Sequence, residues 1–514
     1  MKHLISIFLL LVYSVLTAQN APSIQWQKTL GGSNGDQANS VQQTSDGGYI
    51  VAGDSYSTDG DVTENHGASD YWIVKLDAAG SIQWQKSLGG NFYDTAKSIR
   101  QTADGGYIVA GESYSTDGDV TGNHGGADYW IVKVDSSGNI EWQKSLGGSN
   151  NDTARSAQQT SDGGYIIVGE SFSNDGDVTG NHGYNDYWVV KLDSSGNIQW
   201  QKSLGGAAYD RGNSIQQTSD GGYIIAGGSN STDGDITGNH GNEDFWIVKL
   251  DSSGIIQWEK SLIGNLADGA ESIQQTPEGE YIVAGGSHST NSEIPTSFGE
   301  SNYCVAKLDS NGTTLWQKYF GGSGNDYAYA TQQTSDGGVI VAGGTGSANG
   351  NIVGSHGEAD YWIIKLDSSG ILQWQKPLGG GAFEDAYSMQ QTADGGYIIA
   401  GLTFSSDGDI TTSYGNGDCW IVKLNPAQLG TAESQQPRKF ALYPNPARNF
   451  FHLENLPVGA VVDIIDMSGR KLLSQKNNSG LLKIEVSGFS DGVYTVQIKN
   501  KEEVISSQKL IIRQ

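Results

Sequence analysis

Tryptophan recurs in this sequence at a fixed step of 58 residues: Trp26, Trp84, Trp142, Trp200, Trp258, Trp316 and Trp374. A second series, Trp72, Trp130, Trp188, Trp246, Cys304, Trp362 and Trp420, keeps the same step, and the two columns hold all 13 tryptophans. Seven copies run from about residue 19 to 426 with no insertion or deletion in the register. A constant period of this length marks a repeat architecture, in which each unit buries its faces against its neighbours.

One unit can be followed from Ser98 to Gly148. Ser98–Thr102 (strand A) turns through Ala103-Asp104-Gly105-Gly106 into Tyr107–Ser113 (strand B). A long polar loop leads to Asp128–Asp135 (strand C), and Ser136-Ser137-Gly138-Asn139 turns into IEWQKSLGG (strand D). Runs of Tyr, Trp, Ile and Val favour strands, and the Gly-containing turns supply the positive φ of tight hairpins. Four antiparallel strands in seven copies predict an all-β, seven-bladed propeller, with an open β-solenoid as the rival. The array begins with a lone D strand, Ile24 to Leu30, and ends with a C strand, Trp420 to Leu424. Together these would complete one blade and leave no free edge, which favours the closed ring.

The chain has 514 residues, 73 of them Gly, and carries 57 acidic against 30 basic residues. That balance excludes nucleic acid as a partner, since binding it needs a basic surface. Lys2 and His3 precede an apolar run from Leu4 to Leu16, and Leu16-Thr17-Ala18 ends in a small residue. This reads as a signal peptide over residues 1–18, too short to span a bilayer, and no other stretch approaches transmembrane length. Cys304 and Cys419 fall on different units and read as small buried side chains. Lys28 and Lys75 recur in every unit and read as ion pairs or as stems lying along apolar surface. The Asn-His-Gly triplet (His66, His124, His182, His240) reads as a turn element.

After Leu424 the period stops. Residues 427–437 form a polar linker, and residues 438–514 carry 11 basic and 7 acidic residues, so the acidity belongs to the repeats. The tail reads as a small β-sandwich. Its motifs are Tyr443-Pro444-Asn445-Pro446, Val462-Asp463-Ile464-Ile465-Asp466-Met467-Ser468-Gly469-Arg470, Gly492-Val493-Tyr494 and the basic-apolar end Lys509 to Arg513. In this order they resemble the type A C-terminal sorting domain of the type IX secretion system of Bacteroidetes-type bacteria. The resemblance implies Sec export through the periplasm and recognition of residues 438–514 by the secretion machinery. It further implies removal by a sortase-like peptidase, then release or attachment to surface lipopolysaccharide. Within the repeats, WIVKLDSSGNIQWQKSLGG-type segments such as Trp188 to Gly206 resemble quinoprotein-type propeller repeats over about a third of each unit. No set of residues suited to a quinone accompanies them, so the resemblance bears on fold alone.

In a propeller the A–B and C–D turns share one face, and the long B–C and D–A loops share the other. The long-loop face is the candidate functional face. Differences between units concentrate where strand D passes into strand A: Phe92, Tyr93, Tyr209 and Phe383, and beyond the recurring acid Arg211, Tyr327, Tyr329 and Tyr387. Such rings suit stacking on sugars or docking a partner's side chains, or they cap the blade ends as packing. The B–C loops carry hard oxygen ligands that could hold calcium: Asp59, Asp61 and Asp70; Asp117, Asp119 and Asp128; Asp175, Asp177 and Asp186; Asp233, Asp235 and Asp244; Asp407, Asp409 and Asp418. The fifth and sixth units, with Asn291, Glu293, Asn302 and Asn349, Asn351, Asp360, are depleted in charge. The alternative is that Asx-type hydrogen bonds alone hold these loops. No nucleophile elbow, P-loop or His-Glu-x-x-His motif occurs, so an enzyme is not expected. The expectation is a secreted or surface-attached propeller binding an extracellular glycan or protein; the runner-up is a structural surface-layer or matrix component.

Overall fold

The computed structural model describes residues 21–427 apart from 241, 263 and 290–297. It also describes residues 442–513 apart from 454–455, 457–458, 467–469, 478–481 and 501–502. The expected signal peptide, nearly all of the linker, Asn291, Glu293 and Met467-Ser468-Gly469 lie outside the described residues. The chain divides into two compact units, Ala18–Gln428 and a second containing Leu429–Gln514.

The first unit is a seven-bladed β-propeller. Six blades (36–88, 94–146, 152–204, 210–262, 268–320 and 326–378) are four-stranded antiparallel sheets in the order A-B-C-D. The seventh takes strands A to C from Glu384–Gln391, Tyr397–Thr403 and Asp418–Leu424, and its D strand is Ile24–Leu30 from the start of the chain. Leu30 pairs with Cys419 and Trp26 with Lys423, so the expected closure forms. Each A strand lies beside the A strands of both neighbouring blades, Glu384–Gln391 meeting Asp36–Gln43 to close the inner ring. The A strands therefore surround the axis, and the D strands face outward.

The repeated residues hold blade to blade. Trp130 is fully buried against Tyr71 of the preceding blade, ring centroids 4.5 Å apart, and the Tyr71 hydroxyl donates to the Trp130 carbonyl at 2.9 Å. Cys304 and Cys419 are buried in equivalent clusters as small side chains. A Cβ on Gly111 would lie 2.0 Å from the Thr95 carbonyl, so strand B has no room for a side chain there. Lys75 is buried and pairs with Asp46 of its own A–B turn at 2.9 Å. Five equivalents pair in the same way, from Lys133–Asp104 to Lys423–Asp394, while Lys307 pairs with Glu280, two residues past the equivalent acid. Burial works against the Asp46 charge, but Thr44, Lys75 and Gly48 outweigh it and hold the carboxyl down at about 2.

The second unit is a small β-sandwich. A three-stranded sheet (Leu442–Tyr443, Phe450–Leu453, Leu482–Glu485) and a four-stranded sheet (Val461–Ile465, Lys471–Lys476, Gly492–Asn500, Glu503–Ile512) share a core that includes Phe451, Ile484, Ile464, Val496 and Ile512. Asp463 is buried between Lys471 and Lys499, both at 2.8 Å, and these partners overcome the effect of burial to keep its carboxyl at about 2. Asn445 of the Tyr-Pro-Asn-Pro segment donates to the Lys509 carbonyl at 2.7 Å and accepts from the Ile511 N–H at 2.8 Å. The first and last sorting motifs are thus tied together.

Candidate functional site

Sevenfold repetition breaks at the long-loop end of the inner ring. Every A–B pair carries a register shift one residue into its fourth position, as between Ala38 and Ser40. A β-bulge of this kind re-aims the extra side chain. The extra residue is Asn39, Lys97, Arg155, Asn213, Glu271, Tyr329 and Tyr387 in successive blades, a column with almost no repetition. Two residues earlier stand Gln37, Thr95, Thr153, Arg211, Gly269, Tyr327 and Asp385.

These side chains interact across blades. Arg211 approaches Glu243 at 3.5 Å and Glu271 of the next blade at 3.7 Å. The Tyr327 hydroxyl donates to Glu271 at 3.1 Å, and the rings of Tyr327, Tyr329 and Tyr387 follow one another at 5.1 Å centroid spacing. Arg155 pairs with Glu170 at 2.6 Å, and Glu170 also accepts from Asn185 at 2.7 Å. Burial opposes the Arg211 charge, yet Glu271 and Glu243 outweigh it and raise its pKa. Burial pushes Asp385 up to about 7, against a hydrogen bond from Tyr329.

Space for this cluster comes from strand B. Where blades 1 to 3 carry Asp54, Glu112 and Glu170, the next three carry Gly228, Gly286 and Gly344. A Cβ on these glycines would meet Glu243 at 1.9 Å, the Tyr327 ring at 2.0 Å and Asp385 at 1.7 Å. The volume vacated on one strand is filled from its neighbours. Beside it lies a cavity of about 520 Å³ bounded by His288, Tyr327, Tyr329, Glu358, Phe383 and Asp385.

The eight aromatic and cationic candidates therefore separate. Arg211, Tyr327, Tyr329 and Tyr387 lie in strand A at the channel mouth, and Phe383 joins Tyr327 and Tyr329 from the rim. Phe92, Tyr93 and Tyr209 are exposed on the rims of other blades: Tyr93 leans on Tyr56, and Tyr209 stacks on Tyr184 with centroids 4.9 Å apart. Reading the sequence missed Arg155, Glu170, Glu243, Glu271 and Asp385. For Glu243 and Asp385 the signal is departure from the 58-residue columns, paired with Gly228 and Gly344 in the facing column.

The B–C loop acids are engaged by backbone N–H groups, as in the Asx-type alternative. Among the described residues no three His, Cys, Asp or Glu side chains gather as metal ligands. Asp59, Asp117, Asp175, Asp233 and Asp407 instead accept the backbone N–H of Ser33, Asn91, Ser149, Ala207 and Gly381 at 2.7–2.8 Å. Asp61, Asp119, Asp177, Asp235 and Asp409 accept from Gly31, Gly89, Gly147, Gly205 and Gly379 at 3.2–3.3 Å. Each B–C loop is thereby fastened to the D–A loop entering its blade. The third acids fasten the turn: Asp70, Asp128, Asp186 and Asp244 accept from the N–H of His66, His124, His182 and His240, and Asp418 from Tyr414. Burial lifts Asp128, Asp186 and Asp244 to about 6, against the pull of those histidines.

Comparison with known proteins adds one assignment. Regulatory protein FlaEY of Caulobacter vibrioides is 26% identical over 177 residues, which are 32% of this chain and only 18% of that protein. Among solved structures, the Neurospora crassa Pan2 WD40 domain is 11% identical, covering 77% of this chain and 95% of its own at a TM-score of 0.44. PorZ, a surface component of the type-IX secretion system of Porphyromonas gingivalis, is 13% identical, covering 91% of this chain and 64% of its own at 0.34. Hydrazine synthase of Kuenenia stuttgartiensis is 10% identical, with 73% and 94% covered at 0.44. Among the described residues no helix is long and apolar enough to cross a membrane. Residues 441–513 match the secretion system C-terminal sorting domain, so the chain bears a type IX sorting signal and is exported to the cell surface or beyond.

Proposed function

We propose that the propeller is an extracellular binding module whose long-loop channel mouth takes a glycan. The observation that carries this reading is the local loss of sevenfold repetition: Tyr327, Tyr329, Phe383, Glu358 and Asp385 line a cavity of about 520 Å³, and the Arg211–Glu271 pair adjoins it through Tyr327, while the surrounding frame repeats. Tyrosine faces suit the apolar faces of sugar rings, and fixed carboxylates and guanidinium groups suit hydroxyls. A concave cavity of this size fits a small ligand better than the flat patch of a protein interface. The reading is binding without turnover.

A structural surface role is the second reading, favoured by the repetition of the outer strands. A glycan array probed with the full chain, followed by calorimetry on hits, tests the first. Binding abolished by Tyr329→Ala and retained in Tyr93→Ala supports it. Absence of any glycan hit, together with self-association, supports the second. For export, removal of residues 438–514 should leave the protein in the periplasm; normal surface delivery of that truncation would overturn the secretion route. Removal of the sorting domain by a sortase-like peptidase belongs to the same proposal.

A further inference from the structure

The opposite end of the channel, where the A strands run into the short turns, has different chemistry. Its cavity measures about 410 Å³, and its lining holds one cation, Arg100, and no carboxylate. In a chain with a net charge of -27 that is an unusual place.

Six blades put glutamine at the Arg100 position: Gln42, Gln158, Gln216, Gln274, Gln332 and Gln390. Each accepts, through Oε1, the backbone N–H of the next blade's A strand, at 2.6–3.0 Å. A backbone N–H can only donate, so it fixes which end of each carboxamide faces the strand. The Nε2 groups, which are donors only, are left on the cavity side, and none finds an acceptor among the described residues. Arg100 adds a guanidinium, which also only donates. It gives one hydrogen bond to Ser40 Oγ at 3.2 Å and one to the Ile99 carbonyl at 2.9 Å, and it forms no ion pair among the described residues. Burial presses its pKa down with no carboxylate to oppose the shift. A partly buried cation without a counter-charge is costly.

We propose that this cavity is an anion site, in which a small oxyanion is held by the Arg100 guanidinium and the ring of glutamine Nε2 groups. A tetrahedral oxyanion presents acceptors in several directions, which matches donors converging from around a ring. The site lies at the other end of the channel from the proposed glycan pocket and does not depend on it.

The test uses the full chain with sodium sulfate and sodium phosphate as probes, chloride serving to hold ionic strength constant. Melting temperature and calorimetry are read for the native protein and for Arg100→Gln, which installs the residue that the other six blades carry. Expected is a rise in melting temperature at ~10 mM oxyanion, as for any ligand that binds only the folded state. In Arg100→Gln the oxyanion affinity should fall by about tenfold or more, as one lost charge-assisted contact implies. That variant should be at least as stable as the native chain without oxyanion, because the Gln159 N–H regains an acceptor. An equal rise in chloride alone, no rise with either oxyanion, or unchanged affinity in Arg100→Gln would each overturn the site.

Discussion

The two halves of strand A share one backbone and obey different rules. In the second half, Ser40 and its equivalents accept the next blade's N–H at 3.1–3.4 Å, and the glutamines two residues on repeat that bond. In the first half the equivalent positions hold Asn, Lys, Arg, Glu and Tyr. The half that spans the gap between blades departs from this pattern only at Arg100 and Ala330, whereas the half that opens at the mouth differs in most blades. Within a repeat protein, repetition marks frame and its loss marks the candidate site.

The comparison can be broken at the frame. The largest effect is expected from removing residues 21–30, which strips the D strand from the seventh blade and exposes a hydrogen-bonding edge. Each fully buried apolar side chain lost costs about 1.5–3 kcal/mol, and Leu30 is one of them. Denaturant melts should show the loss; an unchanged midpoint would mean that closure contributes nothing. Gly111→Val comes next, at about 3 kcal/mol, because neither the Thr95 carbonyl nor the Tyr71 hydroxyl can retreat from the added carbon.

It can be sharpened at the mouth. Tyr329→Ala should abolish measurable glycan binding and lower the melting temperature less than the frame variants do, since it removes ring contacts at the mouth but no strand pairing. A variant that lost stability and kept binding would reverse the assignment of the two halves.

Acidity gives a smaller and broader effect. Asp128 and Asp186 have folded pKa values of about 6 against 3.8 when unfolded, so the folded state holds protons that the unfolded chain releases between those values. Stability from these groups therefore rises as pH falls from 7 through 6. Asp46, Asp104, Asp162 and Asp220 sit at about 2, so their contribution fades as pH falls from 3.8 toward 2. The melting temperature should peak between pH 4 and 5. A monotonic fall from pH 7 would count against the buried-acid account. Ser98→Ala should be the mildest change, about 1 kcal/mol, with glycan binding intact.

Much of the frame was legible because its signals are local. Asp-Gly-Gly and Ser-Ser-Gly turns set the hairpins, and the two tryptophan columns gave the period and the number of units. The lone strand at Ile24 anticipated the closure seen between Leu30 and Cys419. The candidate site was legible in part. Tyr327, Tyr329, Tyr387 and Arg211 stood out as departures from the repeat, but Glu243 and Asp385 did not, because their meaning lies in the glycines of a neighbouring strand. The B–C loop acids show the same limit of local reading. Close spacing of Asp117 and Asp119 along the chain suggested convergence, whereas the backbone N–H groups of Asn91 and Gly89 draw each carboxylate to a separate point.

By itself the sequence determined the blade count, the strand order within a blade, the phase of closure and the sorting signal, since each rests on short motifs and on their spacing along the chain. Only the tertiary structure decided which side chains meet around the axis. Those contacts join residues 56 to 60 positions apart, such as Tyr327 with Glu271 and Arg100 with Ser40, across an interface between blades. The direction of each glutamine carboxamide was likewise settled by an N–H on the neighbouring blade, which no reading of one unit could supply.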